Sequence, residues 1–353
     1  MMTRPDFAHL FPAPTAMTAA DGSPRFAFVT FLMLNDSFLP GALMTAYGLR
    51  RQATRADLVC LVTEEITAEA RRALSLLYDR IVEVPRLFIP HKRRQERQDR
   101  PFLFTRLHAL CLGPDGDLGC RYEKIVLLDA DVLPLRYYDH LFNLPAPAGI
   151  INERRAHVME YDERGRYIIP SSVAVDGTWK WHRIYETVCP HGAPIPAELT
   201  ERVRSDPQNM GVNSSLLVLT PSRAEFEAIQ QAAAAPEMRA LVGDRFNWPE
   251  MQFLTLYWSG RWTSVDLRFS GFNGYPGMDV LFGSHYAGFK PWNFKNPKAM
   301  AHWGRFEDFQ VWFRLYTEMV TRAYPDLLQV RRLARLLEAI RELGNGLFHG
   351  IAD

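Results

Sequence analysis

In "KIVLLDADVLPL", residues 124–135, an apolar run from Ile125 to Leu128 stops at Asp129, Ala130 and Asp131, then resumes through Val132 and Leu133. A run that is apolar along its whole length reads as a strand buried on both faces, the pattern of a parallel sheet covered by helices. The neighbouring segments repeat that grammar. "RFAFVTFLML" (25–34) is a strand followed by the helix-spaced "NDSFLPGALMTAYGLRR", and "ADLVCLVTEE" (56–65) a strand followed by "TAEARRALSLLY". "DRIVEVPRL" (79–87) is a third strand, followed by a helix at "RPFLFTRLHALCL" (100–112). Alternating strands and helices imply an α/β domain, and in such sheets ligands bind beyond the carboxyl ends of the strands. Asp129 and Asp131 fall where a buried strand opens into that crevice.

The second half is less regular. Strands and turns are expected at "SSVAVDG" (171–177), "NSSLLVLTPS" (213–222) and "WTSVDLRFSGFNGYPG" (262–277), with helices at "RAEFEAIQQAAAA" and "PEMQFLTLYWSG". Beyond residue 305, "FEDFQVWFRLYTEMVTRAY" and "DLLQVRRLARLLEAIRELG" have the apolar spacing of amphipathic helices that pack on a domain.

The 353-residue chain is 47% hydrophobic with a formal charge of +1, which suits an ordinary soluble protein and offers no polyanion-binding surface. The basic run "HKRRQERQDR" (91–100) is interrupted by acids and amides and reads as a solvated face, so no nucleic-acid partner is expected. Cys60, Cys111, Cys120 and Cys189 show no CxxC spacing, which points to buried thiols in a reducing compartment and a cytoplasmic location. Neither a signal-like stretch nor a transmembrane segment is visible. Residues 1–24 read as a flexible arm, 25–300 as one domain and 301–353 as a helical extension packed on it. A homodimer is compatible with this reading.

Two carboxylates one residue apart at a strand end can converge across a turn on one hard cation, such as Mg²⁺ or Mn²⁺ bound to diphosphate oxygens. Asp-x-Asp alone is a weak signal; exposed acids in turns are common. A second cluster, "SHYAGFKPWNF" (284–294), adds the imidazole of His285, the small Gly288 and the ammonium of Lys290. Imidazole tilts the metal toward Mn²⁺ over Mg²⁺, glycine permits close backbone approach, and lysine can balance phosphate charge.

The blocks "FVTFLMLND…GALMTAYGL", "FLFTRLHAL", "KIVLLDADVLPL", "MGVNSSLLVLTPS", "PEMQFLTLYW" and "HYAGFKPWNF" occur in one order between about residues 25 and 295. In that order the sequence resembles the family-8 retaining glycosyltransferases, the glycogenin-like branch above all. The resemblance implies a GT-A-type single nucleotide-sugar-binding domain: a mostly parallel central sheet flanked by helices, with C-terminal helices. It implies Asp129, Asp131 and His285 as metal ligands, with Ala130 beside the donor and the metal on the diphosphate of a UDP-sugar. Thr30, Asn35 and Phe38 fall at the uridine contacts, and Arg106 at the basic residue beside the donor phosphates and the first aspartate. Gly288 and Lys290 would close over the diphosphate, with Lys290 stabilising departing UDP, and Asn213 and Ser214 would line the sugar pocket.

One departure concerns the helix at "PEMQFLT", where the family has Asp-Gln and this chain has Glu250 and Met251. Glu250 keeps a carboxylate for sugar hydroxyls; Met251 removes an amide, which Gln252 could supply after a one-residue shift. The expected activity is transfer of a hexose, glucose first, from UDP to an acceptor hydroxyl on a glycan, protein or small molecule. Two alternatives stand beside it: a catalytically impaired UDP-sugar-binding scaffold, and a self-glucosylating primer modified at Tyr275 in "FNGYPGM". A nucleotide-sugar pyrophosphorylase would need a glycine-rich, basic first loop, which "FLMLNDSFLPG" is not.

Overall fold

The computed structural model describes residues 16–91, 99–151, 189–207, 209–272, 278 and 281–349. Four parallel strands form one side of a seven-stranded sheet: β1 (Phe26–Leu32), β2 (Asp57–Val62), β3 (Arg80–Glu83) and β4 (Lys124–Leu128). β5 (Val132–Pro134) leaves the sheet directly after β4. β6 (Ala148–Ile151), β7 (Val212–Leu219) and β8 (Thr263–Ser264) complete it in the order β3-β2-β1-β4-β7-β6-β8. β7 pairs antiparallel with both β4 and β6, so it alone runs against the others.

Period two sorts the buried side chains of these strands onto two faces. Phe26, Phe28, Val126 and Leu128 pack with helix α1 (Leu39–Arg51), helix α2 (Ala68–Leu74) and the C-terminal helices. Ala27, Val29, Ile125 and Leu127 pack on the other face against residues 104–112, and against later helices. Those are α3 (Ala197–Ser205), α4 (Arg223–Ala234), a short α5 (Pro236–Ala240) and α6 (Pro249–Tyr257). The helix expected at 100–112 is instead a run of 3₁₀ turns, Arg100–Leu112. Its fully buried Phe104, Leu107 and Leu110 recur every third residue, the spacing that stacks side chains on one edge of a 3₁₀ helix.

A small second sheet carries the second half of the site. β9 (Gly271–Phe272) and β10 (Gly283–His285) are parallel, and β10 pairs antiparallel with β5, setting His285 opposite Val132. Helix α1 lies unusually close to β5 and the loop before it. A Cβ on Gly41 would stand 2.2 Å from the Ala130 carbonyl oxygen, and one on Gly48 2.5 Å from that of Pro134. Between them the Thr45 hydroxyl donates to the Val132 carbonyl at 2.7 Å. Gly41, Thr45 and Gly48 share one helical face, so α1 is a flat support for residues 130–134.

The C-terminal helices α7 (Pro297–Trp303), α8 (Glu307–Glu318) and α9 (Arg331–His349) bury Trp303, Trp312, Tyr316, Leu333 and Leu336 in the same core as α1. At the N-terminal side, Met17 is buried and Thr18 bridges Pro24. The strand expected at 171–177 and Tyr275 lie outside the described residues. No helix among the described residues is long and apolar enough to cross a membrane.

Two buried polar groups set testable stability effects. The Gln252 amide accepts the Trp248 N–H at 2.9 Å and donates to the carbonyls of Pro207 (3.1 Å) and Asn209 (2.6 Å), tying the start of α6 to the preceding loop. Gln252→Ala leaves these groups unpaired and should cost about 2–4 kcal/mol, read in a denaturant melt; a wild-type midpoint would contradict that assignment. In α8, burial pushes the Asp308 carboxyl up to about 7, and its Oδ2 has no hydrogen-bond partner. Because the folded value lies above the unfolded one, the cost of ionising Asp308 appears as pH rises from about 4 to about 7. Asp308→Asn should therefore raise Tm more at pH 8 than at pH 5, and an equal change at both would exclude this origin.

Candidate functional site

β4 ends at Leu128, but the Asp129 N–H still donates to the Ser215 carbonyl at 2.9 Å, so the ladder carries one residue further. Asp129 therefore continues the face of Ile125 and Leu127, toward the 3₁₀ run that bears Arg106 and the helix that bears Glu250. The Val132 N–H closes a turn on the Asp129 carbonyl at 3.0 Å. That turn swings Asp131 toward β10, where the Asp131 carbonyl accepts the Tyr286 N–H at 2.9 Å and Asp131 Oδ1 lies 3.4 Å from His285 Nε2. The two aspartates thus reach the site from different faces of the fold, joined by a turn that α1 supports from beneath.

Asp129, Asp131 and His285 each offer a ligand atom, all within 4.8 Å of one another. They stand in a cleft of about 1170 Å³ beyond the ends of β1–β4. Asn35, Phe38, Ala130, Asn213, Ser214, Glu250, Gly288 and Lys290 also line it. Arg106 is buried behind this wall: its guanidinium is 2.6 Å from Asp129 Oδ1, 3.8 Å from Glu250 Oε1, and donates to the Ser214 carbonyl at 2.8 Å. The Ser214 hydroxyl donates to Glu250 Oε2 at 2.9 Å. Lys290 forms an ion pair with Asp131 Oδ2.

Burial raises the carboxyls of Asp129 and Glu250 above their ordinary range, with the Arg106 guanidinium opposing it at both. Burial acts the same way on Asp131, but there Lys290 and His285 outweigh it and hold the carboxyl well below that range. With Asp129, Asp131 and Glu250 ionised, three negative charges face two fixed positive charges, on Arg106 and Lys290. A diphosphate would deepen that deficit, and a divalent cation would relieve it. The residues fit such an ion: Asp131 Oδ1 is buried without a hydrogen-bond partner, and two carboxylates with an imidazole form a donor set suited to Mn²⁺.

Two expected site residues stand apart. Thr30 is buried within β1 and does not line the cleft, whose lining begins one residue later, at Phe31. Gln252 is also fully buried with its amide committed to backbone groups, so it does not replace the amide absent at Met251. Met251 itself lines the cleft. Asn35 lines it too, but its side chain accepts the Ser37 N–H at 2.8 Å as the cap of a short 3₁₀ turn. The Phe38 ring meets Trp292 edge-on at 5.5 Å and carries the Lys290 ammonium 5.7 Å from its centre.

Sequence reading missed Arg86 and Phe102, which also line the cleft, with Arg86 5.7 Å over the Phe102 ring. Arg86 follows β3 as Asp129 follows β4, and that strand-end position was the available signal. Phe31 was also missed; the Arg106 guanidinium lies 4.4 Å over its ring.

No family model matches the chain. It is 26% identical to an uncharacterized protein of Acanthamoeba polyphaga mimivirus over 279 residues, 76% of this chain and 83% of the other. It is 37% identical to glycogenin of Neurospora crassa over 120 residues, 32% of this chain but 16% of that protein. With glycogenin-1 of Caenorhabditis elegans the identity is 35% over 123 residues, 34% of this chain and 27% of the relative. These matches span less than a third of either glycogenin's own length. Among solved structures, the galactosyltransferase LgtC, determined with donor and acceptor sugar analogues, superposes with a TM-score of 0.51 at 14% identity, covering 82% of this chain and 94% of LgtC. The chain is thus glycogenin-like in sequence over about a third of its length and has the GT-A glycosyltransferase fold over most of it.

Proposed function

We propose that this protein is a metal-dependent retaining glycosyltransferase that moves a hexose, glucose first, from UDP to an acceptor hydroxyl. The observation that carries this reading is the Asp129–Asp131–His285 cluster, set with Arg106, Glu250 and Lys290 about one cleft. The three cluster residues would hold Mn²⁺, with Mg²⁺ as the alternative, and the ion would supply Lewis-acid neutralisation of the donor diphosphate. Arg106 opposes the effect of burial on the Asp129 carboxyl and fixes its orientation. Glu250 would present its Oε1 acceptor and Asn213 its amide N–H groups to sugar hydroxyls, while Ser214 holds the Glu250 carboxylate in place. Asn35 and Phe38 would meet the uridine, Ala130 and Gly288 would let the diphosphate approach the backbone, and Lys290 would place a positive charge where the leaving UDP gains negative charge.

Transfer breaks the bond from the anomeric carbon to the diphosphate oxygen and forms one to the acceptor oxygen. The acceptor's proton passes to the departing diphosphate on the same face, which retains configuration. A separate glycan, protein or small molecule serves as acceptor in preference to Tyr275. The thiols of Cys60, Cys111, Cys120 and Cys189 are all buried, which supports a reducing, cytoplasmic setting.

A second reading, a UDP-sugar-binding scaffold with impaired catalysis, is favoured by Met251, which puts a thioether in the cleft where an amide is expected, and by the engaged Gln252 amide. A panel of UDP-glucose, UDP-galactose, UDP-xylose and UDP-glucuronate with and without Mn²⁺, read by mass spectrometry, separates the two. We expect Mn²⁺-dependent release of UDP, greatest with UDP-glucose, and a loss on the order of 100-fold or more in Asp129→Asn and Asp131→Asn. UDP binding without release from any donor would establish the scaffold, and undiminished Mn²⁺-dependent release by either variant would remove that aspartate from the ligand set.

A further inference from the structure

The Lys290 ammonium has a complete set of acceptors. It donates to Asp131 Oδ2, to the Tyr286 carbonyl at 2.6 Å and to the Ala287 carbonyl at 3.3 Å. Three N–H groups meet three oxygens, one of them anionic, so the ammonium's hydrogen-bonding capacity is filled. The carboxylate it holds is one that the preceding reading assigns to the metal, and the inference that follows rests on that reading.

The backbone around Lys290 is pinned on both sides. Before it, the Tyr286 N–H donates to the Asp131 carbonyl at 2.9 Å and the Tyr286 hydroxyl to the Asp308 carbonyl at 2.7 Å. After it, the Trp292 ring packs against Phe38 and Trp312 and fills the space beside Gly41. The aliphatic stem of Lys290 is the free element between these anchors, with its side chain 21% exposed to the cleft. The ammonium can therefore leave Asp131 by rotating its own stem, without breaking either anchor.

We propose that Lys290 is the resident counter-cation of Asp131: it competes with a divalent metal in the nucleotide-free protein and yields Asp131 when diphosphate oxygens offer it other acceptors. The two arrangements differ in what Lys290 pairs with, carboxylate or diphosphate. Metal and nucleotide then bind with positive coupling, and each tightens the other by the same factor. Lys290 sets the order of loading in addition to stabilising departing UDP. The ammonium keeps two close carboxylates compensated while the site waits, and the diphosphate exchanges that compensation for the metal's.

The test is Mn²⁺ titration by electron paramagnetic resonance, with and without UDP, on the wild type, Lys290→Ala and Lys290→Met. The methionine variant keeps the stem against Phe38 and removes only the charge. Without UDP, both variants should bind Mn²⁺ about tenfold more tightly than the wild type, the scale of one charged hydrogen bond no longer in competition. The factor by which UDP tightens Mn²⁺ should shrink in both variants. Bare Mn²⁺ affinity that is unchanged or lower in the variants, with UDP-assisted binding intact in the wild type, would overturn the competition alone. A wild type that binds no Mn²⁺ even with UDP would overturn both this inference and the metal-dependent function.

Discussion

The Arg106 guanidinium between Asp129 and Glu250 is the interaction on which the cleft depends. The half-buried Asp129 and the buried Glu250 carboxylates, which would repel one another, are brought to one wall by a single cation, which also takes up the Ser214 carbonyl. Removing one partner of such a buried group is far more costly than the pair's net contribution, since the remaining charge is left without solvent. The same arrangement explains why the 3₁₀ run, β4, β7 and α6 meet where they do. Each delivers one member of the group, and the sheet order β1-β4-β7 places the delivering strand ends side by side. The reversal of β7 brings the beginning of that strand, with Asn213 and Ser214, next to the end of β4.

On the other side of the turn the balance is struck differently. Asp131 is compensated by the Lys290 ammonium and a neighbouring imidazole. The first aspartate pairs with a buried guanidinium and the second with an ammonium at the cleft, although the two are separated by a single alanine. Their opposite departures from the ordinary carboxylate range follow from this difference in partners.

Much of this was legible in the sequence because it rests on local pattern. Apolar runs at 26–32, 57–62 and 124–128 placed the strands, and their ends placed Asp129 and Asp131. The collinear blocks brought His285 and Lys290 to the same locus. What was not legible depends on period, direction or reach. "RPFLFTRLHALCL" has apolar residues compatible with more than one helical pitch, and only packing selects the three-residue repeat of Phe104, Leu107 and Leu110. Nothing in "NSSLLVLTPS" states that β7 runs backwards. Thr30 and Asn35 are five residues apart, and the point where β1 opens into the cleft lies between them. Gln252 and Met251 differ by about 100° of helical rotation, which turns one into the core and the other to the cleft. Arg86 lies in no conspicuous motif, and its place at the rim follows from the strand order.

The face of α1 beneath the turn is defined by atoms that are missing. At Gly41 and Gly48 the nearest neighbours of an added carbon would be carbonyl oxygens of residues 130 and 134, which cannot rotate away as a side chain would. A charge pair can drift through many substitutions that preserve its sum; a contact between two backbones has no such neutral path. In a lineage of such proteins these two positions would record descent more faithfully than the acids they support, because the acids answer to a substrate that can change and the glycines answer only to geometry.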